Sequence, residues 1–532
     1  MVLIPPLSKR AEKFSLIDLP NARKVHARPV PRVGGVAMLV GAILPILVWA
    51  PHTRMVISYV LGVLVLGGFS LWDDRRDLNY RLKFLGQFLA IIIVVVGGGL
   101  SIQIFPSGDS TFIAHWVALP LTVFALLGIT NAINLADGLD GLAAGVTFIS
   151  LIAIAVLAQM GENAVVLLMA LAVLGCLVGF LRFNTHPAII FMGDSGSQFL
   201  GFSLGIFVIL AVGHGESRLS LGAPLLLLGV PILDTLTVMF QRVRAGVSPF
   251  RADKNHLHHK LLALGLDHYE AVLCIYVVQA LMVCAGVLLR DQPTWGNLLA
   301  FGAIILLSLL VLRHLTARPI RAQPRPPGAG VSRLGALLGR LQHTDVFSRY
   351  PLGLLSAAVP LYLVWASFHI QALPEFPQAI GYCLWALSLI LWYRLRANPS
   401  FHVLERLVLC AGISAIVYHA ALNGRYSESA SVGEYWFLLT LIVAIILAYC
   451  FSKPRLFTLT TLDFLILFAV LGLPTLLGDG IANANLGQIA VKSVILYYAL
   501  ELIILQMAAR AFWIRGGSVV VLSAFLGHVI QS

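Results

Sequence analysis

Phe250-Arg-Ala-Asp-Lys-Asn-His-Leu-His-His-Lys-Leu-Leu-Ala-Leu-Gly265 lies in the longest polar gap of the first 310 residues of this chain. On either side the sequence is apolar enough to lie in lipid. Of 532 residues, 59% are hydrophobic and only 11% charged, with a mean hydropathy of +0.90, where an ordinary soluble domain has about 25% charged residues. Apolar runs of about 18 residues or more recur along nearly the whole length, each long enough to cross a bilayer core as a helix. The expected fold class is all-α: a polytopic helical integral membrane protein, with roughly ten N-terminal spans and six or seven C-terminal ones.

The N-terminal spans are expected near 34–51, 55–72, 84–104, 114–131, 140–159, 164–181, 195–213, 220–240, 270–289 and 297–312. If the basic N-terminus is cytoplasmic, the gaps alternate. One set (1–33, 73–83, 132–139, 182–194, 241–269 and the stretch from 313) contains 24 Lys and Arg, and the other contains only Arg54, Arg218 and Arg290. Positive loops of this bias set orientation, so the net charge of +12 is read as topology and not as a nucleic-acid surface. Every motif-like polar cluster of the first half then emerges on the cytoplasmic face. Residues 316–350 read as a basic Pro/Gly-rich linker. A second apolar block, 351–532, has spans expected near 351–371, 376–393, 403–422, 434–452, 457–477, 489–508 and 517–530. Glu405, Arg406 and Glu501 are charges within that block. The cysteines show no zinc or disulfide spacing, and the first 33 residues hold no apolar stretch of the signal-sequence kind.

The polar clusters carry the chemistry. Asp73-Asp74-Arg-Arg-Asp77 ends a span, and paired carboxylates there suit a hard cation or a general base; the alternative is an acidic cap balanced by Arg75 and Arg76. In Asn131-Ala-Ile-Asn134-Leu-Ala-Asp137-Gly-Leu-Asp140-Gly141, amides and carboxylates recur every three residues between two spans. Gly138 and Gly141 there permit close approach, and charge at membrane depth defaults to function. In Phe191-Met-Gly-Asp194-Ser-Gly-Ser197, Asp194 is either an N-cap or a metal ligand beside a helix N-terminus that favours phosphate.

In the opening stretch, Asp253 can cap a short helix running to Leu264, with Gly265 ending it. His256 and His259 then share one side and His258 points elsewhere. Zinc ligation is a weak reading, since the histidines are i, i+3 and no Glu accompanies them. Arg242, Arg244, Arg251, Lys254 and Lys260 make a phosphate cradle more natural, with a solvated basic loop as the alternative. Asp234, inside an apolar span, is either a helix partner or a cavity residue.

These clusters, in this order and on one face, together with Leu16-Ile-Asp18-Leu-Pro-Asn-Ala-Arg23-Lys24-Val-His26 and Pro29-Val-Pro-Arg32-Val-Gly34-Gly35, resemble the polyprenyl-phosphate N-acetylhexosamine-1-phosphate transferases of the WecA type. These are related to the phospho-N-acetylmuramoyl-pentapeptide transferases. The resemblance covers roughly residues 2–315, the expected transferase domain (1–315). The form Asp253-Lys-Asn-His256-Leu-His258-His259 is similar to the aminosugar-phosphate branch.

The resemblance implies transfer of a sugar-1-phosphate, N-acetylglucosamine-1-phosphate first, from a UDP-sugar to undecaprenyl phosphate with release of UMP. This would be the first membrane step of a lipid-linked surface glycan such as O-antigen or a cell-wall polymer, at the cytoplasmic face of the inner membrane. UDP-N-acetylgalactosamine or a 6-deoxy aminosugar are the alternative donors. It implies Mg²⁺, or Mn²⁺, on Asp194; Asp73 and Asp74 as catalytic residues; and Asn134, Asp137, Asp140, Arg251, His256, His258 and His259 as substrate-binding ones. Asp18, Lys24, Asp77 and Asp253 are implied as supporting.

Two departures stand out. Family members usually begin with a full span, represented here only by Met1–Leu7, and no family motif lies in 351–532. That block is expected to be an accessory module that binds a second copy or a glycan-assembly partner. The reading from a different class, a carrier for anionic or polyprenyl-linked solutes, would want ionisable residues near mid-membrane on several spans, whereas these cluster at one face.

Overall fold

The computed structural model describes residues 3–19, 29–102, 115–213, 222–248, 255–317, 345–368 and 428–450, with residues 412, 413, 416, 417, 461, 465, 492, 493, 495–500, 502 and 503. Contacts divide the chain into two compact units, Met1–Ala322 with Thr460–Leu476, and Gln323–Leu459 with Leu477–Ser532. In the first unit the helices are α1 (Ile4–Arg10), α2 (Gly34–Trp49), α3 (Arg54–Arg76), α4 (Tyr80–Ile92, continued by a π-helical turn Ile93–Gly97), α5 (His115–Ala136), α6 (Leu142–Met160) and α7 (Ala164–Asn184). They continue with α8 (Gly193–Gly213), α9 (Ala223–Leu227), α10 (Gly229–Arg244), α11 (Leu257–Ala263), α12 (His268–Leu288) and α13 (Thr294–Ala317). The only strands among the described residues are β1 (Ile17–Asp18) and β2 (Val30–Pro31), paired antiparallel. Among the described residues, eight helices of this unit are long and apolar enough to cross a membrane, so the expected all-α polytopic architecture is the one adopted.

Small residues decide which helices form the centre. α6 and α8 are buried along nearly their whole length, whereas the outer face of α13 is apolar and exposed. On α8, a Cβ at Gly196 would lie 3.1 Å from the Cα of Gly35 on α2, and one at Gly201 would lie 2.7 Å from the Cα of Thr130 on α5. Backbones meet at these points, which is how helices associate where lipid offers no hydrophobic drive. Polar side chains at the centre pair with one another. The Tyr59 hydroxyl lies 2.8 Å from Ser203 Oγ, and Gln87 joins Asn131 and Gln198 across three helices.

The single span expected at 220–240 is instead two helices broken at Leu228. Pro231 explains the break. It has no N–H to give the carbonyl of Leu227 four residues back, and its ring crowds that carbonyl. Gln279 of α12 repairs the damage: its Nε2 donates to the Leu227 carbonyl at 2.9 Å, and its Oε1 accepts from Val230 N–H at 3.0 Å. Broken helices are tolerated in membranes only where the freed groups are satisfied in this way.

In the second unit, α14 (Asp345–Phe368) packs on α15 (Glu428–Cys450) around Leu355, Ala366, Leu441 and Leu496. A buried ion pair joins Lys492 Nζ to Glu434 at 2.8 Å, and the Tyr362 hydroxyl donates to the same carboxylate at 2.6 Å. Glu405, Arg406 and Glu501 lie outside the described residues, as do most of the later expected spans.

Replacing Gln279 by Leu should leave the Leu227 carbonyl and Val230 N–H unsatisfied, at about 1–3 kcal/mol for each. The expected result is a lowered melting temperature in detergent that adding Pro231→Ala partly restores by returning an N–H to Leu227. An unchanged melting temperature for Gln279→Leu would contradict this account of the break.

Candidate active site

The ends of α3, α5, α7 and α10 and the starts of α4, α8, α11 and α12 carry the polar clusters, and many of those residues line one cavity of about 1050 Å³. Its walls include Asp18, Arg32, Asp73, Asp74, Asp77, Lys83, Asn134, Asp137, Asp140, His186, Asp194, His259 and His268. Membrane helices of alternating direction return alternate loops to the same end, so residues scattered along the sequence meet.

The joint between α3 and α8 builds the acidic wall. Asp74, buried at the end of α3, accepts from Asp194 N–H at 2.8 Å and from Ser195 N–H at 3.1 Å. These amides open α8 and have no partner within the helix, and a carboxylate is favoured beside them by the helix dipole. Asp194 therefore does not cap its own helix; Asp74 supplies the cap from another one. Gly193 sits at φ 67, where a Cβ would lie 2.5 Å from the Asp74 carboxylate, so only glycine fits that approach.

The neighbouring Asp73 takes different partners. Its Oδ1 accepts from Leu78 N–H at 2.6 Å, and its Oδ2 meets Lys83 Nζ at 2.6 Å. The same ammonium lies 3.2 Å from Asp194 Oδ2. Asp77, in the left-handed region at φ 44, ends α3 and lines the cavity.

A second wall is the turn between α5 and α6. Asn134 Oδ1 accepts from Ser197 Oγ of α8 at 2.6 Å. Gly141, at φ 79, donates its N–H to Asn184 Oδ1 at 2.9 Å, and its carbonyl accepts from the Tyr276 hydroxyl at 2.6 Å. Asp140 Oδ2 accepts from Ala188 N–H at 3.0 Å and lies 2.8 Å from His186 Nδ1. Asp137 opens onto the cavity, where protein crowds it. That desolvation and the carboxylates of Asp140 and Asp74 push its carboxyl up to about 7, against the pull of Arg32.

The N-terminal segment forms a third wall. Arg32 pairs with the buried Asp18 across the β1–β2 pairing. Phe191 N–H donates to the Pro31 carbonyl at 2.8 Å, and the carbonyl of Phe191 accepts from Gly34 N–H at 3.0 Å. This ties the segment to the residues just before α8.

The histidine stretch departs from the expected arrangement. The short helix runs from Leu257 to Ala263, not from Asp253, and Gly265 follows it at φ 91. Its start is fixed by Asp234 of α10, which accepts from Leu257 N–H at 2.7 Å and lies 2.8 Å from His256 Nδ1. Asp234 is thus a helix partner. His256 is committed to it and buried, His258 is buried against Gly138, and of the three only His259 lines the cavity. The contact on Gly138 is tight: a Cβ there would lie 2.2 Å from His258 Nε2. Burial first, and His259 second, push His258 down to about 4, so it is neutral at pH 7. Lys24, Arg251 and Asp253 lie outside the described residues.

Three ionisable cavity residues lie outside the sequence motifs. Lys83 sits one position before an expected span, where a lysine reads as a topology anchor. His186 and His268 stand singly at helix ends. A capping box of Asp267 and Glu270 starts α12 and so sets His268 as its first residue, a signal the sequence does contain.

A membrane-crossing helical bundle whose carboxylates, lysine and histidines converge on one polar cavity has the architecture of an enzyme for charged substrates at a membrane. Comparison with known proteins narrows the class. The profile of Glycosyl transferase family 4 matches residues 56–212. A Bacillus subtilis protein named "Probable undecaprenyl-phosphate N-acetylglucosaminyl 1-phosphate transferase" is 37% identical over 315 residues, 58% of this chain and 88% of the relative. The decaprenyl-phosphate N-acetylglucosaminephosphotransferase of Mycolicibacterium smegmatis is 36% identical over 324 residues, 55% of this chain and 76% of the relative. The undecaprenyl-phosphate alpha-N-acetylglucosaminyl 1-phosphate transferase of Escherichia coli K12 is 29% identical over 306 residues, covering 55% and 82%. The chain belongs to glycosyl transferase family 4, in the group of polyprenyl-phosphate N-acetylhexosamine-1-phosphate transferases.

The depressed His258 makes stability pH-dependent with a definite sign. Unfolded, this histidine takes up a proton near pH 6.5; folded, only near 4. The unfolded state therefore binds more protons between those values, and stability falls as pH drops from about 6.5 to 4, by about 3 kcal/mol at 1.36 kcal/mol per unit. Thermal unfolding across pH should show this fall, and His258→Gln should flatten it. A variant profile parallel to the parent's would contradict the assignment.

Proposed function

We propose that the protein transfers an N-acetylhexosamine-1-phosphate, N-acetylglucosamine-1-phosphate first, from a UDP-sugar to undecaprenyl phosphate at the cytoplasmic face of the inner membrane, releasing UMP. The observation that carries this reading is the bridge in which Asp73 and Asp194 share Lys83 within one polar cavity. The relatives' names support the acceptor and the sugar. The 24-to-three bias of basic loop residues supports the face. The donor nucleotide rests on the family resemblance.

In the proposed reaction an oxygen of the lipid phosphate bonds to the sugar-bearing phosphorus of the donor. The bond from that phosphorus to the bridging oxygen breaks, and UMP leaves with the electron pair. Such a transfer needs positioning and positive charge more than covalent chemistry.

The residues present fit a divalent cation. Asp73 and Asp194 each turn an oxygen to the one cationic position now held by the Lys83 ammonium, and hard oxygen donors suit Mg²⁺ or Mn²⁺. Asp194 would hold the ion with Asp73 beside it, and the ion when bound would offset charge on the non-bridging oxygens. Lys83 supplies a further positive donor. Asp74 holds the start of α8 in place, and Asn134, Asp137, Asp140 and His259 line the space proposed for the donor.

Direct attack by the lipid phosphate is favoured over a covalent aspartyl route. Both oxygens of Asp74 are engaged by amides, and those of Asp73 by Leu78 N–H and Lys83, so neither carboxylate is presented as a free nucleophile.

Two assays on the purified full chain test this. Asp194→Asn should lower UMP release by at least about 100-fold without unfolding the protein; full turnover would remove Asp194 from the site. Labelled UMP should not exchange into UDP-N-acetylglucosamine when undecaprenyl phosphate is omitted; exchange would overturn direct attack. A panel of UDP-sugars in the same assay ranks N-acetylglucosamine against N-acetylgalactosamine and 6-deoxy aminosugars.

A further inference from the structure

Asp140, His186 and His268 offer one carboxylate oxygen and two imidazole nitrogens that all lie within 4.8 Å of one another. They come from three separate segments: the α5–α6 turn, the α7–α8 connection and the first residue of α12. Convergence of this kind does not follow from local sequence. The His186 and His268 rings stack at 4.0 Å with 18° between their planes, and His268 Nε2 lies 3.3 Å from the Asp140 carbonyl. All three side chains line the same cavity as Asp73 and Asp194.

We propose that Asp140, His186 and His268 form a second metal site, selective for a borderline divalent transition-metal ion such as Zn²⁺ and distinct from the carboxylate site at Asp73 and Asp194. The donor chemistry separates the two. Two nitrogens and one oxygen match zinc, whereas Mg²⁺ prefers oxygen alone. To hold one ion the donor atoms must gather from separations of up to 4.8 Å, and the stacked His186 and His268 rings must turn until their in-plane lone pairs meet. Bonds of about 2.0–2.1 Å in a tetrahedral set separate ligand atoms by about 3.3 Å, so His186 Nδ1 and Asp140 Oδ2, now 2.8 Å apart, need open by only about half an ångström. Ligation through His186 Nδ1 would need the neutral ring to carry its proton on Nε2, with the Asp140 contact replaced by the ion. Three protein ligands leave a fourth position facing the cavity, the pattern of an open site.

The site has a consequence for the enzyme. A zinc ion there would engage Asp140, one of the residues lining the space proposed for the donor nucleotide, so metal and nucleotide would exclude each other. That consequence rests on the transferase reading, but the site itself does not, because binding can be measured without turnover.

The test is titration of the purified full chain in detergent with Zn²⁺ under excess Mg²⁺, followed by calorimetry, and with Co²⁺, followed by visible absorption. One saturable Zn²⁺ is expected per chain, with a tetrahedral Co²⁺ spectrum. Affinity should fall at least about tenfold in His186→Ala and in His268→Ala and should persist in Asp194→Asn. His186→Gln, which keeps the side chain's size, serves with its melting temperature to exclude misfolding as the cause. No saturable Zn²⁺ binding, affinity unchanged in both histidine variants, or loss of binding in Asp194→Asn would each overturn the proposal. Competition by UDP-N-acetylglucosamine in the same titration reads the consequence separately. Zinc binding without competition keeps the site and removes only its overlap with the donor.

Discussion

The carboxylate of Asp74 at the open end of α8 is the interaction on which the site depends. It satisfies two amides that have no partner in their own helix, and it does so from the end of another membrane helix. The joint fixes the height of α3 against α8, and this height sets the separation of Asp73 and Asp194. A single ammonium can then reach both. Buried amides without a partner are costly, so the cap and the placement of these carboxylates are fixed by the same contact.

A parallel arrangement holds the other side of the cavity. Asp234 caps α11 from α10 and holds His256, which in turn places His258 on Gly138 and lets His259 face the cavity. The break at Leu228 starts α10 afresh, and Gln279 makes that break affordable. Asp74, Asp234 and Gln279 thus complete backbones left open at helix ends and at the break, while other polar groups line the cavity. That division explains why Asp73 and Asp74, adjacent in sequence, differ in role.

Much of this was legible in the sequence, for physical reasons. Apolar runs give spans without knowledge of packing, and eight helices long and apolar enough to cross a membrane are present among the described residues. Charges such as Asp137 and Asp194 are too costly near lipid to be incidental. What was not legible required partners distant in sequence. Asp194 and Asp74 compete for the same reading as a cap, and only the meeting of α3 with α8 decides between them. The helix expected from Asp253 begins instead at Leu257 because its cap comes from Asp234, 23 residues earlier. Lys83, His186 and His268 carry no local pattern that separates them from topology anchors and helix ends. Pro231 did announce the break at Leu228, and the span expected there ran through it because hydropathy alone does not register a lost N–H.

The central claim is that this cavity moves a sugar phosphate between two carriers and does not merely pass a solute. The most direct measurement follows label from UDP-[¹⁴C]N-acetylglucosamine in a mixture of purified protein, Mg²⁺ and undecaprenyl phosphate. The account predicts that the label enters a butanol-extractable lipid in step with UMP, one for one. Label that stays water-soluble and attached to uridine, whether or not it crosses a vesicle membrane, would contradict it.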